Sequence, residues 1–466
     1  MKRFWLVLLS LGLIVAFSTS AMAVDVKFSG EFYAAGMYLD KTTLRKDSGT
    51  DGPSTAFYFQ RMRLNTTFVV HPGLFLVTRA DIMERSWGAQ RSDVPLVTVN
   101  DTLSAGTRAE NENIAWDLAY ISYISPIGIF SAGYQIDGAW GTVFGDNSYP
   151  TGKVGYMFKT GPVMLGLQTG KNNEYSKRFA NTADAATVAN AGAADRDSSF
   201  YTAYGIYAWK TGQVGLLFKF INNSNSRNAT NLGFPFGSRT QTLSTLPYVK
   251  AQLGPVAVQA EVIWTYGKRK YEEETAATLV AFNLEDQLKI STLSAWVDAT
   301  ADFGMFYAGG TFAYLSGDDP SSTDKLEGGG TGGLDWNPCL IMFNADVNYW
   351  VGSQGGYNNT SNGNPMSNAY FLQARAGVRP VDKLDIMASV SWAHADKTPA
   401  GVWQSREYGY EVDLTATYKI TNNLSYMLGG AYFITGDWYK GVNNVPGVDN
   451  KLTNDFMVIN KLTLTF

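Results

Sequence analysis

Within residues 406–420 every second side chain from Tyr408 onward is apolar, and those between are small, polar or charged. Tyr408, Tyr410, Val412, Leu414, Ala416, Tyr418 and Ile420 form one set; Gly409, Glu411, Asp413, Thr415, Thr417 and Lys419 form the other. A strand sends alternate side chains to opposite faces, so one face suits lipid and the other suits water. The pattern returns in Phe130, Ala132, Tyr134 and Ile136 against Ser131, Gly133, Gln135 and Asp137. It returns again in Val154, Tyr156 and Phe158 against Lys153 and Gly155, and in Val256 to Tyr266, where Gln259, Glu261 and Thr265 break the apolar set.

The connections are as informative as the strands. Eight are tight: His71-Pro72-Gly73, Pro126-Ile127-Gly128, Thr160-Gly161-Pro162, Thr211-Gly212-Gln213, Gly254-Pro255, Asp302-Phe303-Gly304, Pro380 to Lys383, and Thr421-Asn422-Asn423. They place Pro, Gly, Asn and Asp where a chain reverses. Long polar stretches alternate with them near residues 40–55, 88–112, 141–150, 173–198, 222–241, 267–286, 316–367, 395–405 and 437–453. Short turns at one end and long loops at the other are what a barrel spanning an asymmetric membrane needs. The expectation is an all-β, single transmembrane antiparallel up-and-down β-barrel of about eighteen strands, with short periplasmic turns and long extracellular loops. Sixteen strands is the alternative, because Pro247 lacks a ladder donor and implies a bulge or a shortened strand, and because 287–301 alternates poorly.

Residues 1–23 stand apart from this pattern. Lys2 and Arg3 precede an apolar run from Phe4 to Phe17 and a small-residue end, Ser20-Ala21-Met22-Ala23. That is the form of a secretory signal peptide, leaving 24–466 as the barrel, exported and placed in the Gram-negative outer membrane. No later stretch has the length and apolarity of a membrane-spanning helix. The composition of 26 Tyr, 26 Phe, 12 Trp and 47 Gly suits strands that are half lipid-facing and half wet. The final alternating segment, Asp455 to Phe466, ends in an aromatic residue and resembles the signal read by the outer-membrane barrel-assembly machinery.

Two segments carry a family resemblance. Phe57-Tyr58-Phe59-Gln60-Arg61-Met62-Arg63-Leu64 resembles the early Gln-Arg-x-Arg strand of alginate-export-type porins, and 406–437 is similar to their penultimate hairpin. The arrangement of the whole chain is similar to outer-membrane channel proteins of metal-reducing deltaproteobacteria. The resemblance implies a porin: a single-chain channel for passive diffusion of small hydrophilic solutes or ions, working within outer-membrane lipid, as a monomer or a homo-oligomer. Alginate-export proteins line their channel with Arg and Lys; here the inward positions mix both signs.

Selectivity in such a chain depends on lining charge and on any loop that folds inward. If the turn at 71–73 pairs its flanking strands directly, Arg63 lies opposite Asp81, Arg61 opposite Met83 and Arg79 opposite Asn65. Arg61, Arg63, Arg79 and Arg85 would then form a basic inner patch with Asp81 embedded in it, while Glu261, Glu411 and Asp413 line the lumen elsewhere. Either the patch filters ions, or the Arg63–Asp81 pair merely satisfies the wall. The longest loop, 316–367, holds an apolar island from Leu334 to Phe343 that continues into Tyr349-Trp350-Val351. One reading folds it into the barrel mouth as a constriction through Asp335, Trp336, Asn337 and Met342; the other has it cap the barrel or pack on a neighbouring protomer.

Other chemistry is poorly represented. The single cysteine, Cys339, cannot form an intrachain disulfide, there is no C-x-x-C-H haem motif, and His71 and His394 are too few and too far apart to announce a metal site. No cofactor is expected, and no catalytic motif is present. Basic residues are scattered rather than gathered, which excludes a nucleic-acid partner. A structural barrel that sheathes cytochromes for electron transfer is the alternative function, and it would need haem-bearing partners.

Overall fold

The computed structural model describes residues 24–46, 52–88, 114–174, 196–226, 237–271, 276–281, 285–330, 332–363, 365–399, 403, 405–442 and 450–466. Residues 1–23, expected to be a signal peptide, lie outside them. The strands are β1 (Asp25–Leu39), β2 (Thr55–His71), β3 (Leu74–Ser86), β4 (Ile114–Ser125), β5 (Gly128–Asp137), β6 (Tyr149–Thr160), β7 (Val163–Asn173), β8 (Ser198–Trp209) and β9 (Gly212–Asn223). They continue as β10 (Arg239–Leu253), β11 (Val256–Lys270), β12 (Gln287–Asp302), β13 (Phe306–Leu315), β14 (Lys325–Leu326), β15 (Ala369–Val381), β16 (Leu384–Ala395), β17 (Glu407–Lys419), β18 (Leu424–Thr435) and β19 (Asp455–Thr465).

β14 is a two-residue strand lying parallel to the loop end of β12, and β13 pairs directly with β15. The other eighteen strands each run antiparallel to both neighbours, and β1 pairs with β19 to close the ring. All eight tight turns and all nine long connections fall where the pattern predicts, so both described ends of the chain lie on the short-turn side. Closure gives each of the eighteen wall strands a partner on both sides, which is the condition for spanning lipid with strands.

The sixteen-strand alternative fails because β12 pairs with β11 along its whole length, from Lys270↔Gln287 to Val256↔Ala301. Pro247 neither shortens β10 nor shifts its register. Pairing with β11 lapses at Leu246 and Pro247 and resumes in the same frame at Tyr248↔Glu261, while pairing with β9 runs through. The missing N–H costs one rung on one side only.

Outward residues such as Trp116, Leu167, Trp264, Val412, Leu414 and Leu428 are exposed, as a lipid-facing belt requires. Two bulges near the loop ends break the simple alternation. Between Gln60↔Arg85 and Met62↔Ile82 the third strand holds an extra residue, and Met83 takes φ +53°. Arg61 therefore has no direct partner at Met83, and Arg85 sits opposite Gln60 on the face that carries Tyr58 and Trp87, away from the lumen. The expected inward position of Arg85 is thus wrong; Glu84 takes its place. A second bulge, with Gly409 at φ +123°, turns Tyr408 inward against Phe343 and Trp438 rather than outward with Tyr410.

Candidate functional site: a narrowed, charge-paired lumen

Two long connections fold back inside the ring. The first, residues 138–148 between β5 and β6, is held by one carboxylate on the inner face of β11. Glu261 is 1% exposed and accepts from the Thr142 N–H and hydroxyl, both at 2.7 Å. Trp140 Nε1 donates to the Leu246 carbonyl on β10 at 2.9 Å and packs edge-on against Tyr248.

The second is the long connection between β13 and β15, residues 316–368. Ile341 and Met342 donate their backbone N–H groups to the two oxygens of Glu411 on β17, each at 2.7 Å. The apolar island folds inside the wall rather than capping it. Phe343 meets Phe371, Trp336 meets Trp296 and Phe371, and Leu340 approaches Gly429 in β18. Helix α1 (Ala345–Trp350) begins at an Asn344 cap whose side chain accepts from the Val347 N–H, and it delivers Trp350 to Phe59 of β2 at 4.5 Å between ring centroids. Each of Ile341, Met342 and Phe343 is almost fully buried, and burial of such a side chain contributes about 1.5–3 kcal/mol. Gln354 reaches across to Asp455 of β19 and to the Lys41 carbonyl.

The two loops join. Gly333 donates to the Phe144 carbonyl at 2.5 Å, and a Cβ on Gly333 would lie 2.0 Å from the Asp146 carbonyl, so only glycine permits this approach. Phe144 stacks on Trp296 and meets Trp336 edge-on. Together the loops bridge the interior from β10 and β11 to β17, β1 and β2.

This arrangement moves several predicted lining residues. Glu261, Glu411 and Asp413 point inward as expected, but they are buried under the loops and serve as wall-side acceptors rather than as open lining. Of the expected constriction residues, Trp336 and Met342 are buried against the wall, whereas Asp335 and Asn337 lie on the exposed side of the bridge. Burial and the neighbouring Asp146 carboxylate push the Asp335 carboxyl upward, while Ser148 and Arg63 oppose them.

On that wall Arg63 and Asp81 form a bidentate pair with both contacts at 2.7 Å, opposite each other as predicted. Arg79 is opposite Asn65, as predicted, but its guanidinium grips Asp117 of β4 at 2.9–3.0 Å through Nε. Arg61 lies over the Tyr33 ring and between Glu84 at 3.5 Å and Glu31 at 3.8 Å. The expected basic patch is therefore a compensated one, because Glu31, Glu84 and Asp117 join Asp81 beside its three arginines. Sequence reasoning missed these three acids: Glu84 follows a bulge, and Asp117 sits beside a second irregularity between Arg79 and Ala80. Further round, Asp137 bridges Lys153 at 3.2 Å and Lys219, which also receives Tyr149 and Phe200 against its ammonium.

A closed ring of this kind, apolar outside, charged inside and narrowed by loops from its wide-loop end, is the antiparallel β-barrel fold of outer-membrane porins. Among solved structures the chain is similar to OccK9 (OpdG) of Pseudomonas aeruginosa, with a TM-score of 0.51 at 12% identity over 95% of this chain and 99% of that one. It is similar to OccK8 (OprE) of the same organism, with a TM-score of 0.50 at 12% identity over 95% and 98%. The outer membrane protein OpdK of P. aeruginosa aligns at 12% identity and a TM-score of 0.47, over 94% and 99%. No protein-family model and no curated protein matches the chain in sequence.

Proposed function

We propose that this chain is an outer-membrane porin through which small hydrophilic solutes and ions diffuse passively. The observation that carries the reading is the closed ring itself, whose inner face carries paired charges on β2 to β4 and against whose wall two long connections fold inward, with Asp335 and Asn337 exposed. Pore width, lining charge and an inward loop are the means by which a channel without catalytic groups selects. Residues 1–23 direct export, and β19 with its final aromatic residue is the segment offered to the assembly machinery.

Three arginines matched by four carboxylates disfavour a polyanionic cargo such as alginate. Arg61, Arg63, Arg79 and Asp81 with Glu31, Glu84 and Asp117 instead suit small neutral, dipolar or mixed-charge solutes. The finer likeness to alginate-export-type porins rests on residues 57–64 and 406–437. The cytochrome-sheath alternative is disfavoured because a protein partner needs an empty lumen, and the β15–β2 side of this one is filled by the chain's own loop.

The test is reconstitution. The purified barrel should give discrete ohmic conductance steps in planar bilayers and speed the swelling of liposomes in small sugars and amino acids. A folded barrel that does neither overturns the reading.

A further inference from the structure

The point where the long loop meets β17 has an unbalanced charge. Glu411 and Asp413 are neighbours on the inner face of one strand, 0% and 4% exposed, and Cys339 of the loop, 3% exposed, sits over them. A sulfur atom and one oxygen of each carboxylate lie within 4.8 Å of one another. Both Glu411 oxygens accept loop N–H groups, and one Asp413 oxygen accepts from Ser389 at 3.1 Å. The other, Asp413 Oδ1, is buried with no well-formed hydrogen bond, the Leu340 N–H and the Glu411 carboxyl lying near the Asp413 carboxylate. Among the described residues no lysine or arginine forms an ion pair with either acid, in contrast to Asp81, Asp117, Asp137 and Asp298, each of which has one. Two carboxylates buried side by side without a counter-charge are costly, and a cation or a shared proton must offset them.

We propose that Cys339, Glu411 and Asp413 bind one divalent cation of the zinc type, which pins the inward loop to the barrel wall. A thiolate with two carboxylate oxygens is a borderline-soft donor set that suits zinc better than calcium or magnesium, which take oxygen ligands only. Tetrahedral zinc with sulfur at ~2.3 Å and oxygen at ~2.0 Å holds its ligands about 3.5 Å apart, so the three atoms need only draw together slightly. The Asp413 oxygen that lacks a well-formed hydrogen bond gains a partner, and the thiol proton leaves to solvent as the sulfur coordinates. A water completes the fourth position. The site is sealed by the loop that supplies one of its ligands, so the cation enters as that loop docks.

The rival arrangement is a proton on Asp413 donated to Glu411, and metal content separates the two. The full chain is refolded with zinc, passed through metal-free buffer and measured by atomic emission, with heat-modifiable gel mobility reporting barrel folding. One zinc per chain is expected, falling to background in Cys339→Ser and Asp413→Asn. Refolding the wild-type chain with cobalt should give a thiolate-to-cobalt charge-transfer band, a readout that needs no variant. A folded wild-type chain without zinc and without that band overturns the proposal, as does zinc retained equally in both variants. Metal content does not depend on the channel reading. The accompanying effect does: stripping the metal with dipicolinate should raise the frequency of open-channel current fluctuations in the wild type and leave Cys339→Ser unchanged.

Discussion

Two arcs of the same wall solve the problem of an inward face differently. From β3 to β9 the inner face is polar, and its charges are matched in place: Arg79 with Asp117, and Lys153 and Lys219 with Asp137. From β15 round through β19 to β1 the inner face is largely apolar, with Ala369, Phe371, Ala393, Ala395, Phe433, Met457, Tyr33, Ala35 and Met37 all buried beneath the folded-in loop. The lesson is that the barrel has an apolar core of its own on one side of its interior and a charge-paired wall on the other. Inner acids change role between the arcs. On the charge-paired side they neutralise cations, and on the packed side they accept backbone N–H groups from loops.

The most direct way to break this contrast is to remove the packed side. Deleting 334–350 takes away the island and all of α1, and single-channel conductance should rise severalfold while the bare inner face of β15–β17 becomes a liability in refolding yield. Unchanged conductance would mean that the loop does not narrow the passage. Next, Glu261→Ala leaves the Thr142 N–H and hydroxyl without their acceptor, at a cost of about 1–3 kcal/mol for a buried donor left unpaired. The 138–148 connection should then be cut faster by added protease, and open-channel noise should increase. A wild-type cleavage rate would show that Trp140 and Phe144 suffice to hold it.

On the charge-paired side the effects are smaller and electrostatic. Replacing both Arg61 and Arg63 by Ala leaves Glu31, Glu84 and Asp81 in excess, so reversal potential in a salt gradient should move toward cations. The permeability ratio should change by up to about fivefold, the factor that ~1 kcal/mol of charge interaction in water supplies. An unmoved reversal potential would reduce these arginines to wall satisfaction. Smallest is the pH response of Asp335. Because burial and Asp146 raise its carboxyl, it takes up a proton at a higher pH than ordinary carboxylates, and its charge is lost as pH falls through that raised value. Cation preference should therefore begin to fall earlier on acidification in wild type than in Asp335→Asn, which lacks that step.

The ring was readable from sequence because turn chemistry and alternation report the same periodicity, and strands such as β5, β6 and β11 keep it without interruption. Arg63 opposite Asp81 and Arg79 opposite Asn65 were readable because the frame runs unbroken from Val69↔Phe75 to Arg63↔Asp81, although beside the turn itself it shifts to His71↔Leu74. What escaped lies near loop ends. An extra residue at Met83 or Tyr408 exchanges inside for outside, and no pattern of residue types announces it. The roles of Glu261, Glu411 and Asp413 were also hidden. Their inward direction follows from alternation, but whether an inward acid meets water or a loop is decided by contacts with segments 69 to 119 positions away in the chain. The apolar island announced that it would be buried, though not against which strands.

The ring's closing contact has a kinetic consequence. Asn460 Nδ2 reaches the Gly36 carbonyl across 424 positions of chain, and Gly30 and Phe466 exchange both backbone bonds beside it. Every other wall pairing joins consecutive wall strands, whereas this zipper waits for the last segment to arrive. Such distant pairing is slow to form. A nascent wall must therefore persist as an open curved ribbon with two reactive margins, and the lifetime of that ribbon, more than the strength of any hairpin, sets how fast the finished cylinder accumulates.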